Sequence, residues 1–313
     1  MTRRRKIIKR FLWSFFLLFL IMNFVAFFHA YKFTHFSENS IKKSDESAKL
    51  SMFGKLKTLA FGINNPRPKN DYYPKQKYTT FTLNSNKKIE YWSIKTAKPK
   101  GTIILFHGYG GQKASMLDKS DVFLKLGFNT MLVDFMGSGG SEGNQTTIGY
   151  LEAEQVKSCY EYLLLNGKKN IYLMGTSLGA VAIMKALDDY QLKPKGIILE
   201  CPFGTMYKTV CARFKTMGAP TFPMAGLLVF WGGVQNGFWA FGHNPSEYAK
   251  NIHCPTLLLY GEKDPKVSRS EIDEIFLNLK GEKQLKTYSK SGHENYLLKY
   301  QSKWTKDIIT FLQ

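Results

Sequence analysis

The stretch that decides the reading runs from Asn170 to Leu187, NIYLMGTSLGAVAIMKAL. Its first part, IYLM, is a short apolar run of strand type. Its last part, AVAIMKAL, is rich in strong helix formers. Between them stands Gly175-Thr176-Ser177-Leu178-Gly179, a G-x-S-x-G. A serine on so tight a strand-to-helix turn is pushed up above the sheet, and flanking glycines let helix and strand come close. The helix N-terminus adds partial positive charge beside the hydroxyl. A serine that merely caps a βα-turn is the bland alternative. The strand–turn–helix context favours a nucleophile.

Outward from this turn the pattern repeats. Residues 78–85 (YTTFTLNS) and 87–96 (KKIEYWSIKT) flank Asn86 and predict an antiparallel hairpin. Strands are expected at 101–108, 128–135, 170–177, 196–202, 254–261 and 284–290. Helices are expected at 114–127, 150–165, 178–190, 268–280 and 296–312. Near-continuous apolar strands joined by helices predict a mostly parallel sheet covered on both faces. Ligands of such sheets bind beyond the carboxyl ends of the strands.

The N-terminal end differs in kind. The stub MTRRRKIIKR carries Arg3, Arg4, Arg5, Lys6, Lys9 and Arg10, and an uncharged apolar run FLWSFFLLFLIMNFVAFFHA follows over 11–30. About 20 helical residues match a bilayer core of about 30 Å. The basic stub predicts a cytoplasmic N-terminus. A cleaved signal peptide is the competing reading. Its apolar region is shorter, and it wants a small residue where Phe28 stands. An uncleaved single-pass anchor is therefore expected, with the main domain on the extracytoplasmic side. Residues 31–77 read as a linker, with SENSIKKSDES and NNPRPKNDYYPK as its polar parts. Within it, 48–63 suits either a basic amphipathic helix on the membrane or a plain connecting helix.

Of 313 residues, 44 are Lys or Arg and 24 are Asp or Glu, a formal net charge of +20. No zinc-finger spacing or RNA-binding aromatic motif accompanies the charge, so a nucleic-acid partner is not expected. Cys159, Cys201, Cys211 and Cys254 form no C-x-x-C pair. Buried free thiols fit them best.

A serine nucleophile needs a base, and the base needs a carboxylate to orient it. Of six histidines, only His293, in SGHENY, follows the last strand and precedes the final helix. Asp264, in Gly261-Glu262-Lys263-Asp264, follows the preceding strand. Glu200, ending the strand GIILE, is the rival acid. The chain order Ser177, Asp264, His293 is that of the α/β-hydrolases.

With these motifs the chain resembles the α/β-hydrolase superfamily. It is nearest to the serine aminopeptidase S33 or hydrolase-4 branch, which holds monoacylglycerol lipases and bacterial esterases. The resemblance covers residues 78–313. It implies that His107-Gly108-Tyr109-Gly110-Gly111 supplies one oxyanion donor, the Tyr109 N–H, and that Leu178 N–H is the second. The family's G-x-x-D pattern favours Asp264. The run with Asp134, Gly137, Gly139 and Ser141 resembles a D-x-x-G-x-G-x-S loop that shapes the floor of the site. Neither glycine run completes a dinucleotide G-x-G-x-x-G, because Lys113 and Glu142 stand where the third glycine belongs.

By family position, residues 203–250 form a lid insert. They are too short and too broken by Pro220 and Pro223 to span a bilayer. Phe230, Trp231, Phe238, Trp239 and Phe241 either line an acyl pocket or pack the lid onto the core; Phe230, Trp231 and Trp239 are the substrate-binding candidates. The expected activity is hydrolysis of a carboxylic ester, of a lipid or other small-molecule acyl compound, through an acyl-enzyme, a route that requires no metal and no organic cofactor. Amide or peptide cleavage is the second reading. It is weakened because Glu247 is the lid's only carboxylate. A non-catalytic, membrane-tethered interaction protein is the third.

Overall fold

The protein was analysed as a computed structural model, which describes residues 3–38 and 52–313. Helix α1 (Arg3–Thr34) comes first and α2 (Met52–Phe61) second. The sheet then begins with β1 (Tyr78–Asn84) and β2 (Lys88–Ile94). β3 (Thr102–Phe106), α3 (Leu117–Lys125) and β4 (Asn129–Val133) follow. Next are α4 (Glu152–Leu165), β5 (Ile171–Thr176), α5 (Leu178–Tyr190) and β6 (Gly196–Glu200). The insert carries α6 (Met206–Thr216), α7 (Met224–Asn236) and the short α8 (Pro245–Tyr248). The chain closes with β7 (Thr256–Gly261), α9 (Arg269–Asn278), β8 (Lys283–Tyr288), α10 (Tyr296–Lys299) and α11 (Gln301–Leu312).

The eight strands lie in the order β1-β2-β4-β3-β5-β6-β7-β8. β1 pairs antiparallel with β2, and β2 antiparallel with β4. Every other pairing is parallel. The hairpin register joins Asn84 to Lys88, so the expected turn around Asn86 is present. Each residue of β3, β4, β6 and β7 is buried, as an apolar strand with helices on both faces requires. One face packs against α4, α5 and α9 through Val156, Val181, Ile183 and Ile272. The other packs against α3 and α11 through Phe123, Trp304 and Ile308. Each fully buried aliphatic side chain contributes roughly 2 kcal/mol.

Three local differences from the expected pattern have physical reasons. The closing helix is two pieces, α10 and α11, because Tyr300 leaves helical geometry (φ −130°, ψ 46°); its hydroxyl accepts the Lys290 N–H at 2.9 Å. The helix that holds the apolar run 11–30 is longer than the run itself, extending from Arg3 to Thr34. The segment expected as a linker is docked on the domain where it is described. Phe36–Ser37 form a two-residue parallel ladder with Asn65–Pro66, and the Arg67 guanidinium donates to the carbonyls of Gly143 and Ser141. Most of the SENSIKKSDES run and the start of the 48–63 stretch lie outside the described residues; the remainder of that stretch contains α2. Cys159, Cys201, Cys211 and Cys254 are all free.

Candidate active site

Three loops leave the carboxyl ends of β5, β7 and β8 and meet. The first is the turn at Ser177, whose backbone has φ 53° and ψ −109°, a conformation that side-chain-bearing residues rarely adopt. The surroundings hold it there: Ser177 N–H donates to Glu200 O at 2.7 Å. Gly179 is required by contact, since a Cβ there would sit 2.4 Å from Phe106 O.

The second loop carries Asp264. One carboxylate oxygen accepts the N–H groups of Lys266 (2.8 Å) and Val267 (3.1 Å), which fixes the plane of the group. A capping box between Ser268 and Glu271 starts α9 and closes the loop. The third loop carries His293. A Cβ on Gly261 would lie 2.4 Å from Gly292 O, so only glycine lets the second and third loops approach this closely.

The result is a continuous chain of contacts. Asp264 Oδ2 is 2.7 Å from His293 Nδ1, and His293 Nε2 is 3.0 Å from Ser177 Oγ. The Asp264 side chain is fully buried and that of His293 is 15% exposed. Burial disfavours a charged His293 ring, while the Cys201 sulfur and the Asp264 carboxylate favour it. The balance raises the ring from 6.5 to about 10. The carboxylate contributes to this at any pH near neutrality, whereas the sulfur does so only as a thiolate.

The turn after β3 stands against this chain: a Cβ on Gly108 would lie 3.7 Å from Ser177 Cβ. The Tyr109 N–H follows directly, and Leu178 opens α5, where the first N–H groups have no intrahelical partner. His107 is buried and braces the turn, its Nε2 accepting the Phe135 N–H at 3.1 Å; burial lowers its pKa. Beneath it, Asp134 is buried and accepts from the Lys113 ammonium, from Lys113 N–H (2.6 Å) and from Gly140 N–H (2.9 Å). The D-x-x-G-x-G-x-S loop is thus tied to the turn it supports.

Glu200, the rival acid, is occupied elsewhere. It accepts Trp304 Nε1–H at 2.8 Å and Thr176 Oγ–H at 2.9 Å. The lid aromatics have partners of their own. Trp231 packs on α1, donating Nε1–H to Asn23 Oδ1 at 3.1 Å and meeting the Phe27 ring edge-on. Phe230 lies edge-on to Trp231, and Trp239 is 64% exposed. These contacts describe a joint and an outer face rather than a pocket wall. Phe238 stacks on Tyr150 at 4.2 Å.

Three residues in or beside the site carried no local signal. Cys201 follows β6 with φ 41° and lies within 4.8 Å of the reactive atoms of Asp264 and His293. Phe33 of α1 stacks on Tyr109 with ring centres 4.6 Å apart, and Tyr109 Oη–H donates to Phe33 O at 2.7 Å. The Arg213 guanidinium covers both rings, 4.3 Å from Phe33 and 5.4 Å from Tyr109. Only Cys201 was within reach of sequence reasoning, as the residue after a strand end.

Fold and topology define an α/β-hydrolase. The family model described as Serine aminopeptidase, S33 matches residues 97–230. Among curated proteins it is 25% identical over 217 residues to the uncharacterized protein YqkD of Bacillus subtilis, covering 67% of this chain and 70% of that one. It is 26% identical over 186 residues to lysophosphatidylserine lipase ABHD12 of Danio rerio, covering 55% and 46%. The chain thus spans about half the length of the curated lipases it matches. Among solved structures, an esterase of Pyrococcus furiosus superposes with a TM-score of 0.67 at 22% identity, covering 80% of this chain and 97% of that one. An esterase of Exiguobacterium antarcticum gives 0.58 at 18%, covering 74% and 99%. At these identities the structural likeness bears on the fold.

Proposed function

We propose that the chain is a membrane-anchored serine hydrolase that cleaves carboxylic esters of acyl compounds. The observation that carries this is the Ser177–His293–Asp264 chain at 3.0 and 2.7 Å on a strained turn. Ser177 Oγ attacks the ester carbonyl while His293 Nε2 takes its proton. Asp264 holds the ring in the tautomer that leaves Nε2 free to accept, and stabilises the imidazolium that forms. The N–H groups of Tyr109 and Leu178 receive the developing oxyanion; losing one such donor typically costs about 3–4 kcal/mol. His293 returns the proton to the leaving alcohol. Water, activated by the same ring, then releases the acid.

Helix α1 is the anchor. It is long and apolar enough to cross a bilayer. Its last turns belong to the domain: Thr146 N–H donates to Thr34 O at 2.8 Å, and Phe33 covers Tyr109. This supports a retained helix over a cleaved leader. The basic stub sets the N-terminus in the cytoplasm and the domain on the far side. The lipase and esterase relatives support an acyl ester as substrate. Amide cleavage has less support: Glu247 is exposed and paired with Lys250 at 2.6 Å, leaving the lid without an acidic anchor for a free N-terminus.

A fluorophosphonate probe should label the full-length protein and fail on Ser177→Ala. Esters of graded chain length, set beside aminoacyl amides, test the bond cleaved. Turnover of amides with none of esters would overturn the reading.

A further inference from the structure

We propose that the lid itself is immersed in the bilayer leaflet on the domain's side, and that the substrate is therefore an acyl lipid entering laterally from that leaflet. The inference rests on the hydrolase and anchor readings above and extends them.

The first observation is one of length. From Phe11 to Ile21 α1 is exposed on all sides; from Met22 onward one side of it is covered by the domain, while Phe24 and Phe27 stay exposed. The free part is eleven residues, roughly 16 Å of helix at 1.5 Å per residue. A bilayer core is about 30 Å thick. Arg10 and Lys9 hold the near end at the headgroups. The remaining 14 Å or so must be crossed by residues that already touch the domain. Tilting the helix lengthens the crossing and deepens the overlap.

The second observation is what touches it there. Asn23 and Phe27 meet Trp231, and Phe27 O accepts Gln235 Nε2–H at 2.8 Å. Chain numbers rise together on both helices, so α7 runs alongside α1 in the same direction. Its start, with Met224 and Phe222, points back toward the free half of α1. Phe24 and Phe28 meet Phe61 of α2, at 5.6 and 5.1 Å between ring centres. The lid helix and α2 thus flank α1 at the same depth.

The third observation is chemical. Residues 217–246 contain no Lys, Arg, Asp or Glu, in a chain where 22% of residues are charged. Within that gap Phe222 is 83% exposed, Met217 69% and Val234 54%. An exposed apolar surface of this kind marks a lipid or protein contact. Its attachment to a membrane helix selects lipid. Two polar groups of the joint are paired there, Asn23 Oδ1 with Trp231 Nε1–H and Gln235 Nε2–H with the Phe27 carbonyl. Lys215 is exposed at the edge of the gap, where headgroup phosphates would meet it.

The test uses the full-length protein in phosphatidylcholine nanodiscs carrying acyl-chain-brominated lipid. Bromine quenches tryptophan on contact. Trp13 is quenched in either case, and the buried Trp92 and Trp304 in neither. The expected result is a quenched fraction in the wild type that shrinks in Trp239→Phe or Trp231→Phe. A quenched fraction that rises in both variants, as the loss of an unquenched tryptophan requires, would place the lid in water and overturn the proposal. A second measurement uses Met217→Ser with Phe222→Ser. Hydrolysis of a bilayer-resident ester should fall several-fold while a short soluble ester is cleaved as before; an equal effect on both, or none on either, counts against lateral entry. Lid quenching in a protein that cleaves neither ester would sink the hydrolase reading and leave the lid placement standing.

Discussion

The turn at Ser177 and the joint between α1 and the lid are built on opposite principles. The turn is local. Its strain, its glycines and its serine fall within five consecutive residues, and its neighbours approach through backbone. The joint is long-range. Asn23 meets Trp231 across 208 positions, and Phe33 meets Tyr109 across 76. Chemistry that needs sub-ångström placement is written into short motifs on rigid strand ends. Access and setting are spread over segments that meet only after folding.

That contrast can be broken or sharpened by experiment. Ser177→Ala should lower kcat by about 10⁶-fold, the scale known for serine nucleophiles of this type. Thermal melting of the variant should match the parent, since only a hydroxyl is lost from a turn the backbone holds. A smaller loss, below a hundredfold, would mean that the turn is not where the reaction occurs.

Asp264→Asn should cost about 10⁴-fold in kcat through the wrong tautomer of His293. Glu200→Gln should behave differently. Its partners Trp304 and Thr176 belong to the scaffold, so it should lose about 1–3 kcal/mol in denaturant titration with turnover per folded molecule nearly unchanged. Exchange of these two phenotypes would move the acid to β6.

The pH profile gives a third test. The base acts when neutral, and His293 is raised from 6.5 to about 10. Activity should therefore fall as pH drops through a limb lying above 6.5, and Asp264→Asn should move that limb down. Cys201→Ala reports the sulfur's share by any further displacement. A limb at or below 6.5 in the parent would show that the ring is not held as described.

The smallest effect is expected in the joint. Phe33 is half-buried, so Phe33→Ala should cost about 1–2 kcal/mol of stability, below the range for a fully buried phenylalanine. It should reduce kcat/KM a few-fold by loosening Tyr109. No change in either quantity would reduce the stacking to incidental contact.

Legibility in the sequence follows the same division. The strands from Thr102 to Tyr288 were readable because each is a bounded apolar run, and Ser177, Asp264 and His293 because each ends or follows one. The hairpin at Asn86 was readable from alternation. The lid was not. Residues 203–250 gave a composition without a period, because α7 packs against a long apolar helix from the far end of the chain. An aromatic-rich composition suggested a pocket lining; the fold turns Trp231 to α1 and Trp239 outward. Glu200 and Asp264 looked alike as carboxylates after strands. Trp304, 104 positions away, and Thr176 distinguish them by claiming the first.

The Phe33–Tyr109 stack has a consequence for biogenesis. An anchor that only tethers is interchangeable with any other apolar helix. Here α1 supplies a wall to a loop made some seventy residues later. Under the proposed topology the two meet only after the nascent polypeptide has been translocated and α1 has settled beside the newly closed domain. Arrival would then be the arming step, and a chain still in transit should resist the fluorophosphonate until that helix docks.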